Sequence, residues 1–154
     1  MIIDVFLWAL VISILAKRFK HVIERKYRDL YLFPVPFAVQ LLFGDSWILM
    51  GLSFAVLVYL AHRNRHIPGF KLIAIGLILN GLEMTLNGGK MPVLSSLAES
   101  MGISGDSRHF FTDWSWKLIL GDWIPVVLPY GRKFIISIGD VFVYIGTFVF
   151  FLRK

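Results

Sequence analysis

The chain has 154 residues, of which 57% are hydrophobic and 17% are charged, and its mean hydropathy is +0.72. A soluble domain usually carries about 25% charged residues, so these values favour a membrane protein. The sequence contains no cysteine, which excludes disulfides, cysteine-based metal sites and thiol nucleophiles. The net charge of +6 arises from basic residues beside apolar segments. We therefore expect no nucleic-acid partner, because such a partner needs a basic patch on a soluble face.

Five apolar runs predict an all-α, polytopic membrane protein with five transmembrane helices in one integral membrane domain. The predicted spans are residues 2–16, 30–44, 47–61, 70–86 and 134–152. Residues 87–133 then form one ordered outer loop. Lys and Arg cluster after the first and third runs, which places the N-terminus outside and the C-terminus in the cytoplasm. The expected location is a bacterial cell membrane, with the lipid bilayer as a partner.

The segment after the first run combines basic residues with apolar side chains at helical spacing, at Phe19, Ile23, Tyr27 and Leu30. This pattern is typical of an interfacial helix against anionic headgroups. A topology signal without a specific lipid explains the same residues.

The basic loop after the third run holds His62 and His66 at an i, i+4 spacing that on a helix can bind a metal. No acidic residue lies nearby to complete such a site, and two ligands are too few. We therefore predict no metal site and no cofactor.

Polar residues share one face of the fourth run, at Asn80, Glu83 and Asn87. Polar groups on one face of a membrane helix usually point into the bundle, where they find partners. They indicate either interhelical hydrogen bonding or a binding or catalytic role. The sequence Asn87-Gly88-Gly89-Lys90-Met91-Pro92 follows and predicts a turn that ends the helix.

A second polar stripe runs along the last helix, at Ser137, Asp140, Tyr144 and Thr147. Asp140 lies within an apolar run, and Asp122 precedes a Pro-containing turn. Two carboxylates of this kind can share a proton and activate water. They can also take part in cation or proton transfer. As structural groups, they would pair with the backbone or with basic residues of the loop, such as Arg108, His109 and Lys117.

The chain resembles a family of small bacterial integral membrane proteins that is classed only as a domain of unknown function. The likeness rests on Asn87 to Val93, His109, Leu120-Gly121-Asp122 and Ser137-Ile138-Gly139-Asp140. The resemblance implies a set of motif residues but no established activity. With it, the predicted site combines catalytic Asp122 and Asp140 with the binding residues Asn80, Glu83, Asn87, Lys90, Met91, His109, Ser137 and Tyr144.

The chain is also similar to lipoprotein signal peptidases, which are intramembrane aspartyl peptidases with an Asn-x-Gly motif and two late aspartates. This resemblance implies that Asp122 and Asp140 form the catalytic dyad and that Asn87 supports it. Trp123 stands where a basic partner of the dyad is expected.

Three functions remain open from the sequence. The first is a membrane-embedded hydrolase that acts on a lipid or a lipidated peptide. The second is a non-enzymatic accessory or assembly subunit with partner membrane subunits. The third is a small transporter whose path is lined by Asp140, Glu83 and Asn80.

Overall fold

A computed structural model describes residues 1–43, 46–105 and 108–153. Within them the chain forms seven α-helices, four short strands and two 3₁₀ turns. The helices are α1 (Ile2–Leu15), α2 (Phe19–Ile23), α3 (Pro34–Leu42), α4 (Trp47–Arg63), α5 (Phe70–Leu86), α6 (Ser95–Met101) and α7 (Ile138–Leu152). The strands are β1 (Met91–Leu94), β2 (His109–Thr112), β3 (Ile124–Val127) and β4 (Lys133–Ile136). The 3₁₀ turns are Leu30–Leu32 and Trp116–Leu118.

Helix α5 lies at the centre of the molecule, with α4 packed on one side and α7 on the other. Helix α3 packs against α4, and α1 packs against α7. The contacts therefore place the long helices in the spatial order α3, α4, α5, α7, α1. The C-terminal part of α5 and the N-terminal end of α7 meet, because Gly139 lies against Asn80.

Glycine contacts bring α5 and α7 unusually close. A Cβ atom added to Gly139 would collide with the side-chain oxygen of Asn80 and with the carbonyl oxygen of Gly76. At the other end of the pair, a Cβ atom on Gly146 would lie 2.8 Å from the carbonyl oxygen of Gly69. Small residues let two helix backbones approach this closely.

Two small sheets lie beyond the end of α5. Gly88 and Gly89 have positive φ angles of 67° and 88°, a conformation that ends the helix and suits glycine. The chain then enters β1, which pairs in parallel with β2. Strands β3 and β4 pair antiparallel as a hairpin. The hairpin leads directly into α7.

Large apolar side chains remain exposed along two helices at the sides of the row. On α3, Leu41 and Leu42 are exposed to 78% and 71%. The exposed members on α1 include Ile3, Phe6 and Leu15. The buried apolar clusters are small; one contains Met50, Met84 and Met91.

The prediction of five transmembrane helices is wrong. The longest described helices, α4 and α5, have 17 residues each, or roughly 26 Å of rise, against the roughly 30 Å of a bilayer hydrocarbon core. No helix among residues 1–43, 46–105 and 108–153 is both long and apolar enough to cross a membrane. This finding also contradicts the predicted multi-pass location. It removes the basis for assigning loops and termini to the two sides of a bilayer.

Two of the predicted spans are shortened by identifiable residues. In the 30–44 run, α3 begins only at Pro34, because proline suits the first turn and not a helix interior; Gly44 lies outside the described residues. In the 134–152 run, the first residues form β4, and α7 begins after Ser137, whose side chain caps it.

The all-α prediction is also wrong, since the predicted outer loop 87–133 contains strands. Residues 109–112 of this loop form β2. The backbone donors and acceptors of these short segments are satisfied by pairing.

Candidate aspartate site

Asp122 is held by its backbone between the two sheets. Its N–H donates to the carbonyl oxygen of Pro92 at 2.8 Å, and its carbonyl oxygen accepts from the N–H of Leu94 at 3.0 Å. Gly121 permits this approach, because a Cβ atom there would lie 2.6 Å from the same Pro92 oxygen. The Leu-Gly-Asp sequence therefore positions the aspartate against the first strand after α5.

The carboxyl group of Asp122 is buried and poorly paired. The residue is 5% exposed, and its Oδ1 atom has no hydrogen-bond partner in the described part of the chain. The Oδ2 atom lies 3.6 Å from Nε2 of His109, which is too long for a hydrogen bond. Burial, and secondly the charge of Asp140, raise the pKa of Asp122 to about 8. This carboxyl group is therefore mainly protonated at pH 7.

Asp140 is fixed by a closed set of hydrogen bonds at the start of α7. The hydroxyl oxygen of Ser137 accepts from the N–H of Asp140 at 3.0 Å, and Asp140 Oδ2 accepts from the N–H of Ser137 at 3.3 Å. This reciprocal capping box satisfies two amide groups that a helix start leaves unpaired.

Asn80 joins this cap to α5. Its Nδ2 donates to Asp140 Oδ1 at 2.8 Å, and its Oδ1 accepts from the Ser137 hydroxyl at 2.8 Å. Asn80 and Ser137 are both buried. The carboxylate of Asp140 therefore accepts two hydrogen bonds, one from the Asn80 side-chain amide and one from the Ser137 N–H, and such bonds stabilise a negative charge.

The two aspartates are coupled by charge and not by a direct bond. No hydrogen bond joins Asp122 to Asp140 among the described residues. Burial raises the pKa of Tyr144 well above its usual value, and the charges of Asp140, Asp122 and Asp4 raise it further. Tyr144 thus lies within the field of all three carboxylates.

Asp4 is a third carboxylate of this cluster, and the sequence analysis did not identify it. It is 8% exposed, and its Oδ1 accepts from the Tyr130 hydroxyl at 2.7 Å and the Arg132 guanidinium at 2.6 Å. The hydrogen bond from Tyr130, and then the charge of Arg132, lower the pKa of Asp4. Asp4 has the same feature in the sequence that identified Asp140, because both are carboxylates within an apolar run.

A groove lies beside Asp4. Its volume is about 440 Å³, and it is lined by Asp4, Leu7, Trp8, Val11 and Tyr130. Most of this lining is apolar side chain from α1. The groove therefore combines an apolar lining with one carboxylate, that of Asp4.

Glu83 and Asn87 hydrogen-bond to each other at the end of α5. Asn87 Nδ2 donates to Glu83 Oε1 at 3.1 Å and to the Glu83 carbonyl oxygen at 2.9 Å. Burial raises the pKa of Glu83.

Lys90 and Met91, which follow the Gly88-Gly89 turn, lie in different environments. Lys90 is exposed, and Met91 packs against Met50 and Met84.

In residues 1–43, 46–105 and 108–153 no group of three or more His, Asp or Glu residues is placed to hold a metal ion.

The fold and this site define a small protein of short helices with an aspartate cluster where the C-terminal part of α5 meets the start of α7. The chain belongs to DUF5317, a family of unknown function, whose sequence profile matches residues 3–152. An uncharacterized protein of Thermotoga maritima (strain ATCC 43589 / DSM 3109 / JCM 10099 / NBRC 100826 / MSB8) is 52% identical over 157 residues. That match covers all of this chain and 92% of the relative.

No solved structure matches the chain. The resemblance to a family of unknown function is confirmed. The membrane-spanning character attached to that resemblance is not.

Proposed function

We propose that the protein is a hydrolase in which Asp122 is the general acid and Asp140 the general base. The observation that carries this proposal is the pair of unlike environments. Asp122 is 5% exposed with an unpartnered Oδ1, whereas the Asp140 carboxylate accepts hydrogen bonds from Asn80 and Ser137. Two carboxyl groups in environments this different, one buried without a partner and one hydrogen-bonded, are suited to acid and base roles.

The reaction follows from these protonation states. Asp140 takes a proton from a water molecule, whose oxygen forms a bond to the carbonyl carbon of an ester or amide. Asp122 donates its proton to the leaving oxygen or nitrogen as the bond to carbon breaks. The products are a carboxylic acid and an alcohol or amine. The proton on Asp140 then passes through water to Asp122, which restores the starting state.

We propose a lipid or a lipidated peptide as the substrate class. The groove of about 440 Å³ along α1 is lined by Leu7, Trp8 and Val11 and ends at Asp4. Apolar lining with a few polar groups at one end suits a molecule with a hydrocarbon chain.

The experiment compares hydrolysis of p-nitrophenyl laurate and p-nitrophenyl acetate by the purified protein. We expect faster turnover of the laurate ester. Asp122→Asn and Asp140→Asn should each lower kcat roughly 100-fold or more, the usual contribution of an acid or base. Glu99→Gln, a change at an exposed carboxylate of α6, is the control and should leave the rate unchanged. Folded variants that retain the wild-type rate contradict the proposal.

A second candidate is a non-enzymatic assembly subunit, and the exposed apolar side chains favour it. Leu41 and Leu42 of α3 are exposed to 78% and 71%, and apolar patches of this kind often mark interaction surfaces. Complementation of a deletion strain separates the two functions. An assembly role predicts that Leu41→Lys abolishes complementation and that Asp122→Asn preserves it. The hydrolase predicts the loss with Asp122→Asn.

A further inference from the structure

A basic pocket lies at the opposite end of α4 from the aspartate site. The first residue of α4, Trp47, lies beside Gly89 of the turn that follows α5, whereas Arg63 ends the helix. The pocket has a volume of about 150 Å³ and is lined by Arg28, His62, Arg63, Arg65 and His66. The hydrolase proposal assigns no role to these residues.

Asn64 builds the pocket from two separate segments. It is 4% exposed, and its Oδ1 accepts from the Arg28 N–H at 2.8 Å. Its Nδ2 donates to the carbonyl oxygens of Arg28 at 2.9 Å and Leu60 at 2.8 Å. One buried amide thus fixes the backbone of Arg28 against the last turn of α4. The side chain of Arg28 is thereby placed beside those of the helix end.

Two more contacts hold the same segments together. Arg63 Nε donates to Asp29 Oδ2 at 2.8 Å. His66 Nε2 lies 3.1 Å from the carbonyl oxygen of Lys26. The segment before α3 is therefore attached to the turn after α4 at three successive places. The backbone of the pocket is therefore held in place without a ligand, which lowers the entropic cost of binding.

Among the described residues, two of the arginines that line the pocket have no carboxylate partner. Asp29 pairs with Arg63, and no described carboxylate forms an ion pair with Arg28 or Arg65. Basic side chains at the end of a helix also stabilise its negative pole. That effect acts within the last turn and does not explain why Arg28 is brought in from another segment.

We propose that this pocket binds a phosphate group. Guanidinium groups present paired N–H donors that match the oxygen atoms of phosphate. The two arginines without a carboxylate partner, Arg28 and Arg65, are the ligands, and Arg63 is held in place by Asp29. The pocket of about 150 Å³ accommodates phosphate or diphosphate. The same chemistry is found in the headgroup of an anionic phospholipid, so the source of the phosphate is decided by experiment.

The first arm of the experiment measures binding of inorganic pyrophosphate by isothermal titration calorimetry. A free phosphate compound as the ligand predicts saturable binding that Arg65→Gln and Arg28→Gln each weaken roughly tenfold, the effect of one lost charged hydrogen bond. Lys117→Gln removes an equal charge from an exposed residue outside the pocket and serves as the matched control. It should change the affinity less than twofold.

The second arm measures cosedimentation with phosphatidylglycerol vesicles and with phosphatidylcholine vesicles. A lipid headgroup as the ligand predicts that Arg65→Gln weakens binding to the anionic vesicles, relative to both the wild type and Lys117→Gln. Binding to the zwitterionic vesicles should not distinguish the three proteins. The proposal is overturned if Arg65→Gln and Lys117→Gln behave alike in both arms, or if the wild type binds neither probe. Arg65 is exposed, so its variant is expected to fold.

Discussion

Asn80 Nδ2 of α5 donates a 2.8 Å hydrogen bond to Asp140 Oδ1 of α7. The same amide group accepts from the Ser137 hydroxyl, so Asn80 connects the capping box of α7 to the neighbouring helix. This connection fixes where the negative charge of Asp140 lies relative to Asp122. In this account, the position of Asp140 depends on α5, whereas the protonation of Asp122 depends mainly on burial.

Replacement of Asn80 tests this connection. Asn80→Ala leaves the Ser137 hydroxyl and Asp140 Oδ1 without their partner in a buried site, so the free energy of unfolding should fall by about 1–3 kcal/mol. Urea denaturation measures the change. Thr85→Ala is the control on the same helix, because the hydroxyl that it removes bonds the Gly81 carbonyl oxygen within α5 and makes no hydrogen bond to α7. Equal losses in the two variants would show that Asn80 does not connect the helices.

The stability of the protein should depend on the ionisation of Asp122. The pKa of Asp122 is raised from 3.8 in a model compound to about 8 in the fold. Between these pH values the folded state retains a proton that the unfolded state has released. The contribution of Asp122 to the free energy of unfolding therefore decreases as the pH rises through this window, by roughly 1 kcal/mol per pH unit.

Asp122→Asn removes this contribution because asparagine does not ionise. The variant should gain stability relative to the wild type as the pH rises from 4 to 8, and the difference should level off above the pKa of about 8. Denaturation curves of both proteins at several pH values measure it. A stability difference that stays constant over this range would contradict a raised pKa.

A methyl group at Gly139 should separate α5 from α7. The added Cβ atom collides with Asn80 and the backbone of Gly76, so Gly139→Ala should lower the free energy of unfolding by about 1–3 kcal/mol, as overpacking usually does. Gly51→Ala in α4 is the matched control, since its nearest neighbour is the flexible Thr85 side chain at 3.2 Å. The control should be neutral or stabilising, because alanine favours a helix over glycine by up to about 1 kcal/mol.

The groove along α1 should determine the preferred chain length of the substrate. Val11→Trp fills the groove, so kcat/KM for p-nitrophenyl laurate should fall roughly tenfold, the scale of a changed apolar contact, while the acetate ester is unaffected. Leu15→Trp is the control on the same helix, because Leu15 is not among the groove-lining residues. An equal fall in kcat/KM for both esters would show that the acyl chain of the substrate does not bind in this groove. This prediction depends on the proposed hydrolase activity.

Part of the site follows from local periodicity. The spacing of Asn80 on one helix and of Ser137 and Asp140 on another predicts two polar stripes, and the structure places these three side chains in contact. Helical spacing is fixed by backbone geometry, so such stripes can be read without the tertiary structure. Glu83 and Asn87 share the first stripe but pair with each other, which spacing alone does not determine.

The remaining features depend on contacts between distant segments. Asp4 meets Tyr130 and Arg132 across most of the chain, and no local pattern indicates that pairing. The apolar run 134–152 was predicted as one helix because β-strand and helix residues are equally apolar there. The cap at Ser137 divides them. Composition predicted a membrane-spanning bundle, and the lengths of the helices contradict it.

The protonation of Asp122 is measured most directly by ¹³C NMR titration of the aspartate carboxyl carbons. We predict one carboxyl group with a midpoint near the pKa of about 8. Its signal should be absent in Asp122→Asn, and its midpoint should move to lower pH in Asp140→Asn, because a neighbouring negative charge has been removed. Titration of every aspartate at the usual acidic values, below about pH 5, would show that Asp122 is not protonated at neutral pH.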